Sequence, residues 1–302
     1  MLLSWLWVPV TVAAATAQVF RNGAQANLTG KIGTLGATQV RFVFGLPFAV
    51  LFLLAALAIG GATVPAVGAT ALGWCALGAL CQIVATALML VVMRVRSFGV
   101  AYAYIKTEPV IVAVLGAVIL RDIPGPAAWL AIGVVTAGVL IASIKPGEAA
   151  LLLSEGRLVT AGVLGGGLFG MSAIAFRAAI EAVTEGDFVL RSLTMLVVSL
   201  AIQSAVLGLW LALRDREAFM GSLREWRASL GAGFLGAAAS SGWFIAFSLT
   251  LAANVRTLAL IEMPLAALVS HCISGKGLAL REWLGMGVVM AGLALLLAAH
   301  AA

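Results

Sequence analysis

Two ten-residue stretches, WLAIGVVTAG at 129–138 and WLGMGVVMAG at 283–292, share seven identical positions at an offset of 154 residues. The same offset, within a few residues, relates four further pairs: Glu108 and Glu262, Thr86 and Ser240, Arg41 and Arg191, and Arg21 and Arg177. We interpret the chain as two copies of one unit. If each unit holds an odd number of membrane spans, the second copy enters the membrane inverted, which is a common plan of transporters.

The composition places the chain in a membrane. It is 63% hydrophobic and only 10% charged, whereas a soluble domain is about 25% charged. Apolar runs of roughly 20 residues, each able to cross the hydrocarbon as a helix, recur along the chain. The predicted fold is all-α: an integral membrane bundle of ten transmembrane helices in two inverted five-helix repeats. The ten predicted spans are 4–22, 34–59, 66–93, 97–120, 124–144, 157–182, 187–213, 226–251, 255–274 and 280–299.

The repeats divide the predicted bundle into 1–148 and 149–302, which together form one transmembrane domain. The segment Arg214–Arg227 is predicted to be a short amphipathic surface element. Glycine is abundant, with 34 copies, and small residues let helices approach closely where lipid offers no hydrophobic drive for association. The matched pairs Gly133 with Gly138 and Gly287 with Gly292 therefore predict equivalent packing positions in the two repeats.

Charged loops predict an orientation. One alternate set of loops holds twelve Lys and Arg residues, whereas the other holds only Arg121. The positive-inside rule places the basic loops in the cytoplasm and both termini outside. The net charge of +6 then reflects loop asymmetry and contact with anionic lipid, and nucleic acid is not an expected partner.

Metal, cofactor and catalytic sites are not expected. Three cysteines fall inside predicted spans and read as small packing residues, and the two histidines are too far apart in sequence to form a triad. No GxxxxGK[ST] nucleotide-binding sequence occurs. The residues concerned are Cys75, Cys81, Cys272, His271 and His300. An intramembrane enzyme or a non-transporting membrane scaffold remains an alternative to a transporter.

Charges inside spans are the strongest site candidates, because a charge in hydrocarbon costs at least about 2.5–3.5 kcal/mol unless it faces a cavity or a partner. Lys106, Glu108 and Glu262 are the deepest. A pairing of Lys106 with Glu262 would leave Glu108 the freer carboxylate and a candidate proton carrier. Nearer to span ends, i,i+4 ion pairs are expected for Arg177 with Glu181 and for Asp187 with Arg191, and Arg256 is expected at a helix end.

Two sets of site residues follow. Polar groups at mid-span, together with a lysine and a tyrosine, are the candidates for substrate binding: Lys106, Tyr102, Gln18, Gln82, Thr86, Ser240, Ser241 and Trp243. Charges and helix-kinking prolines are the candidates for coupling or gating: Glu108, Glu262, Arg41, Arg191, Pro109 and Pro264. Five tryptophans near span ends read as anchors in the interfacial belt: Trp5, Trp7, Trp129, Trp226 and Trp283.

Three stretches carry a resemblance to a known family: ATQVRFVFGLPF around Arg41, the Glu/Pro pattern TEPVIVAVLGAVIL with LIEMPLAALVS, and the closing REWLGMGVVMAGLALLL. In these the chain resembles ten-helix members of the drug/metabolite transporter superfamily, of the EamA type. The resemblance implies a central cavity between the repeats and the movement of small metabolites, often the export of amino acids or drugs. It also implies a cytoplasmic N-terminus, against the charge count above.

The sequence thus predicts a secondary transporter or exporter that moves a small polar metabolite by alternating access in the bacterial inner (plasma) membrane. Expected partners are the small-molecule substrate, membrane lipids and a coupling proton. A monomer or weak homodimer is expected, with no cofactor.

The orientation gives the first testable prediction. With twelve basic residues in one set of loops against one in the other, a C-terminal alkaline phosphatase fusion is expected to be active and a C-terminal fluorescent fusion dark. A fluorescent C-terminal fusion would instead place the termini in the cytoplasm, as the family resemblance implies.

Overall fold

The computed structural model describes residues 2–95, 108–144, 156–274 and 279–301, and within these ranges it contains helices and no β-strand. The all-helical fold class is confirmed. The α-helices are α1 (Leu2–Trp5), α2 (Trp7–Val43), α3 (Gly45–Gly60), α4 (Ala69–Val95), α5 (Glu108–Leu115), α6 (Pro126–Ser143), α7 (Gly156–Glu181), α8 (Phe188–Arg214), α9 (Arg216–Arg224), α10 (Trp226–Leu249), α11 (Ala252–Leu258), α12 (Glu262–Ser274) and α13 (Leu280–Ala301).

Eight stretches of the described residues are helical, long and apolar enough to cross a membrane. The two predicted spans outside this set are the fourth and the ninth. In the fourth, only the apolar helical stretch Glu108–Leu120 falls within the described part. The ninth is broken into α11, a 3₁₀ turn at Ala259–Ile261 and α12. Large apolar side chains exposed along these helices, such as Ile59 and Leu213, suit contact with lipid.

The chain forms two compact units. Unit 1 combines residues 1–83 with 175–250, and unit 2 combines residues 84–174 with 251–302. The boundaries fall inside α4 and α7. Unit 1 takes one segment from each predicted repeat. Unit 2 takes 84–148 from the first repeat and both 149–174 and 251–302 from the second, so the repeats and the compact units divide the chain differently.

In unit 1 the first two spans form a tight helical hairpin. Gly33 (φ 69°, ψ 172°) interrupts α2 with a left-handed φ that favours glycine. The Gln25 amide Nε2 donates to the Ala37 carbonyl at 2.8 Å across this turn. Residues 23–33, which lie between the first two predicted spans, are therefore not a loop. They continue the helix as far as the break at Gly33. A cluster of Leu28, Ala37, Val40 and Ala232 packs beneath it.

Small residues bring α10 against α2. A Cβ on Gly233 would lie 2.6 Å from the Phe44 carbonyl oxygen, and one on Gly242 would lie 2.7 Å from Ala14 Cβ. Both positions therefore require glycine for the backbones to approach. Trp7 is fully buried, so its assignment to the interfacial belt is wrong: its indole serves in packing within unit 1.

The predicted surface segment contains the helix α9. Asp215 caps α9 by accepting from the Ala218 N–H at 3.0 Å. Beside it, Lys31 Nζ pairs with Glu225 Oε2 at 3.1 Å, with side chains 60% and 35% exposed. The α9 end of unit 1 therefore carries an exposed ion pair.

In unit 2, α6 packs on α13 through a reciprocal contact. A Cβ on Gly138 would meet Val289 (2.7 Å from its N), and a Cβ on Gly292 would meet Val135 (2.5 Å from its Cγ2). Gly138 and Gly292 are related by the offset of 154, and so are Val135 and Val289. Gly133 and Gly287 are also related by the offset of 154. A Cβ on either glycine would have no neighbouring atom within 4 Å, so these two positions do not pack against a helix as predicted.

Alanine substitution tests this contact. Gly138→Ala and Gly292→Ala are each expected to lower the free energy of unfolding by about 1–3 kcal/mol, because the new methyl group overpacks against the facing helix. Gly133→Ala and Gly287→Ala, on the same helices in open space, are matched controls that should unfold like the wild type. The measurement is thermal unfolding in detergent, and equal stability of all four variants would contradict the reciprocal contact.

Candidate functional site

A buried ion pair joins α5 and α11 in unit 2. Arg256 Nη2 donates to Glu108 Oε2 at 2.6 Å, with the two side chains 17% and 3% exposed. The second carboxylate oxygen, Glu108 Oε1, is buried and has no hydrogen-bond partner in the part of the chain that the structure describes. Since removing one member of a buried pair leaves an uncompensated charge, these two residues depend on each other. The free oxygen leaves the carboxylate with capacity to accept a further donor.

The helices that carry this pair are irregular. After Leu115, α5 continues as a π-helix at Gly116–Leu120, which ends at Arg121 with φ 59°. The 3₁₀ turn Ala259–Ile261 separates α11 from α12. Pro264 lies in the first turn of α12 and lacks an N–H to bond back into that turn, so the predicted kink beside Glu262 coincides with a real break.

The pair corrects one sequence-based expectation. Arg256 lies in the last turn of α11, at a helix end as expected, but its side chain is largely buried against Glu108. Glu108 is therefore not the freer carboxylate. Glu262 is also buried, with 5% exposed, and is itself engaged in an interaction. The expected partner Lys106 lies outside the described residues, as does Tyr102, while Pro109 is buried in the first turn of α5.

Two predicted substrate-binding residues contact each other in unit 1. The Trp243 indole N–H donates to Gln18 Oε1 at 3.1 Å and ties α10 to α2. Gln203 of α8 donates its amide to Gln82 Oε1 at 2.6 Å. Sequence reasoning missed Gln203, although a glutamine in the middle of an apolar span is the same kind of signal that selected Gln82.

The remaining polar candidates are separated by environment. Ser240 is buried in α10, whereas Ser241 donates back to the Ala237 carbonyl of its own helix at 2.9 Å. Thr86 is buried with 7% exposed and belongs to unit 2. Five of the candidates (Gln18, Gln82, Ser240, Ser241 and Trp243) belong to unit 1.

Arginines near span ends have distinct roles. The predicted ion pair of Arg177 with Glu181 is present at 2.8 Å. Arg177 Nη1 also donates to the carbonyls of Phe247 and Thr250, at 2.6 and 2.7 Å, and so caps the C-terminus of α10. The predicted pair of Asp187 with Arg191 is absent.

Asp187 instead caps α8 by accepting from the Leu190 N–H at 2.8 Å, which takes its carboxylate away from Arg191. Arg191 donates to the Val183 carbonyl at 3.4 Å. It precedes Gly208 by 17 residues in α8, or about 25 Å of helix. Gln39, two residues before Arg41 in α2, lies against Gly208. Arg41 therefore lies toward the C-terminal end of α8, whereas Arg191 lies toward its N-terminal end.

Unit 2 contains an apolar cavity. It measures about 270 Å³ and lies between α12 and α13. Its lining residues are Pro264, Ala267, Leu268, Trp283, Met286, Gly287 and Met290. It offers no polar group suited to a polar metabolite. Within the described ranges no group of three His, Cys, Asp or Glu residues is arranged to hold a metal.

The second half of the chain matches a known family. Residues 158–298 match the model of the EamA-like transporter family. This region belongs to the EamA-like transporters. The resemblance seen in the sequence is confirmed, and it indicates a membrane transporter of the drug/metabolite superfamily. No curated protein is similar to the sequence at a significant level.

The fold has relatives of known structure. A protein solved by crystallography aligns with 96% of this chain and 95% of its own chain, with a TM-score of 0.71 and 13% sequence identity. At that identity the likeness establishes the fold alone. It extends along nearly the whole chain, beyond the part that the family model matches.

The buried pair gives a prediction on stability. Glu108→Gln is expected to lower the free energy of unfolding by about 3–5 kcal/mol, because Arg256 then remains buried without its carboxylate. Arg256→Gln should also destabilise, and the double variant should lose less than the sum of the two single losses.

The exposed pair supplies the control. Glu225→Gln removes the partner of Lys31 in solvent and should cost at most about 1 kcal/mol. The measurement is denaturant or thermal unfolding of the purified variants. Losses that are equal at Glu108 and Glu225, or strictly additive in the double variant, would contradict a coupled buried pair.

Proposed function

We propose that this chain is a secondary transporter that moves a small polar metabolite, such as an amino acid or a related compound or drug, across the membrane by alternating access. The observation that carries the proposal is the buried Glu108–Arg256 pair, 2.6 Å apart on two interrupted helices. Interrupted helices line the substrate and ion sites of many transporters, because unwound backbone and free helix ends supply polar groups within the membrane.

The helix pairing supports two inverted repeats. Under the 154-residue offset, α6 and α13 are repeat mates and pack on each other through Gly138 and Gly292. The contact of α2 with α10 has a counterpart in that of α4 with α7, where a Cβ on Gly78 would lie 2.7 Å from Phe176. One of these pairings thus maps onto itself and the other onto a second observed pairing, as a pseudo-two-fold relation requires.

The Glu108–Arg256 pair is suited to gating. It joins α5 to α11 and is largely shielded from solvent, so separating its partners exposes two charges that a substrate bearing both an amino and a carboxylate group could satisfy. We propose that this exchange of partners accompanies opening. A coupling proton remains a candidate partner at Glu108 or Glu262.

Counterflow tests the function. Purified protein in proteoliposomes, loaded with unlabelled compound, is expected to accumulate the labelled form of at least one member of a panel of amino acids and organic anions. The panel identifies the substrate class. Absence of counterflow for every member, with protein that is folded and inserted, would contradict transport of these classes.

A matched pair of variants tests the gate. Glu108→Asp keeps the charge but withdraws the carboxylate from Arg256 by one methylene, so we expect slower counterflow with little loss of folded protein. Glu225→Asp makes the same change in the exposed pair with Lys31 and should leave counterflow unchanged. Equal rates for Glu108→Asp and the wild type would remove the pair from the transport cycle.

A further inference from the structure

Arg21 is a buried cation without an anionic partner among the residues that the structure describes. It lies in α2 of unit 1 and is 5% exposed. Its Nη2 donates to Asn22 Oδ1 at 2.8 Å, but its Nε and Nη1 are buried and have no hydrogen-bond partner within the described ranges. The sequence predicts Arg21 at the cytoplasmic end of the first span, and in the structure the helix continues beyond it. A guanidinium in such a site needs an anion or several acceptors.

The acidic side chains of unit 1 are engaged elsewhere or lie in solvent. The first 83 residues contain no Asp or Glu. Glu181 pairs with Arg177, and Glu225 with Lys31. The others act at caps, hold a backbone N–H or are exposed: Asp187, Asp215, Glu185 and Glu217. Arg21 therefore has no carboxylate to neutralise it within its own unit.

A second arginine, Arg41, lies beside Arg21 in the hairpin. The bond from Gln25 to the Ala37 carbonyl sets the register of the hairpin, so Arg21, one turn before Gln25, faces Arg41, one turn after Ala37. A Cβ on Gly236 would lie 3.5 Å from both Arg21 Cδ and Arg41 Cγ. Two cationic side chains thus flank one glycine. Along the helix they lie about 18 Å (Arg21) and about 12 Å (Arg41) from the turn at Gly33.

We propose that Arg21, with Arg41 beside it, binds an oxyanion group, a carboxylate or a phosphate, of a ligand that enters unit 1. Guanidinium groups bind both anions through paired hydrogen bonds. Two sources fit this chemistry: the anionic end of the transported metabolite and the phosphate of a lipid head group. The first deepens the proposed function and rests on it, because it assigns the substrate to the anionic metabolites.

The test compares buried arginines that differ in their partners. Arg21→Gln removes an uncompensated charge, so without ligand the variant should unfold at the same temperature as the wild type or higher. Arg177→Gln removes the donor to two helix-terminal carbonyls and should unfold at a lower temperature. If Arg21→Gln is instead destabilised like Arg177→Gln, Arg21 is a structural residue and the proposal fails.

Ligand binding is measured without transport. Protein in phosphatidylcholine nanodiscs is titrated with succinate or inorganic phosphate, against potassium chloride at equal ionic strength. We expect these anions to raise the unfolding temperature of the wild type and of Lys31→Gln, which loses the same charge from an exposed site. Arg21→Gln and Arg41→Gln should each weaken the apparent affinity about tenfold or more, the loss expected for a charge-assisted bond.

A second arm separates the sources. If soluble anions have no effect, but phosphatidylglycerol added to the nanodiscs stabilises the wild type and not Arg21→Gln, the oxyanion is a lipid phosphate. If Arg21→Gln responds like the wild type to both, the proposal is overturned. Because unfolding reports binding alone, a failure of counterflow leaves this result intact, and a negative result here leaves transport intact.

Discussion

Close approach of helix backbones is the constraint on which this structure depends. Lipid gives apolar helices no hydrophobic reason to associate, so contact must come from surfaces that fit. Gly138 and Gly292 let α6 and α13 meet with backbone atoms of the facing helix where a Cβ would lie. Gly233 and Gly242 serve in the same way between α10 and α2.

Much of the fold could be predicted because hydrocarbon imposes simple rules. Apolar runs long enough to cross the membrane are visible in the sequence, and eight occur as long helices among the described residues. The predicted packing of Gly138 and Gly292 is present, but the equally matched Gly133 and Gly287 are open. A repeat identifies equivalent positions, whereas only the rotation of each helix decides which of them face a neighbour.

The site was less predictable. A charged residue in a span indicates that it has a partner, but the sequence does not show which residue that partner is. The sequence indicated Glu108 as important and Arg256 as peripheral, yet the two form the buried pair. Asp187 and Arg191 have the spacing of a helical ion pair, but Asp187 precedes the first turn of α8 and its carboxylate caps a backbone N–H. Competition from the free N–H groups of a helix start is a local effect that the i,i+4 rule ignores.

The division into compact units bears on how the chain folds as it is made. Unit 1 needs residues 175–250 to join residues 1–83, and unit 2 needs residues 251–302 to join residues 84–174. Neither unit is complete when the first half of the chain has been synthesised. The early helices are therefore in the bilayer before the helices that pack against them have been synthesised. Contacts between segments distant in sequence form late and slowly. Unit 2 closes last, when α13 reaches α6.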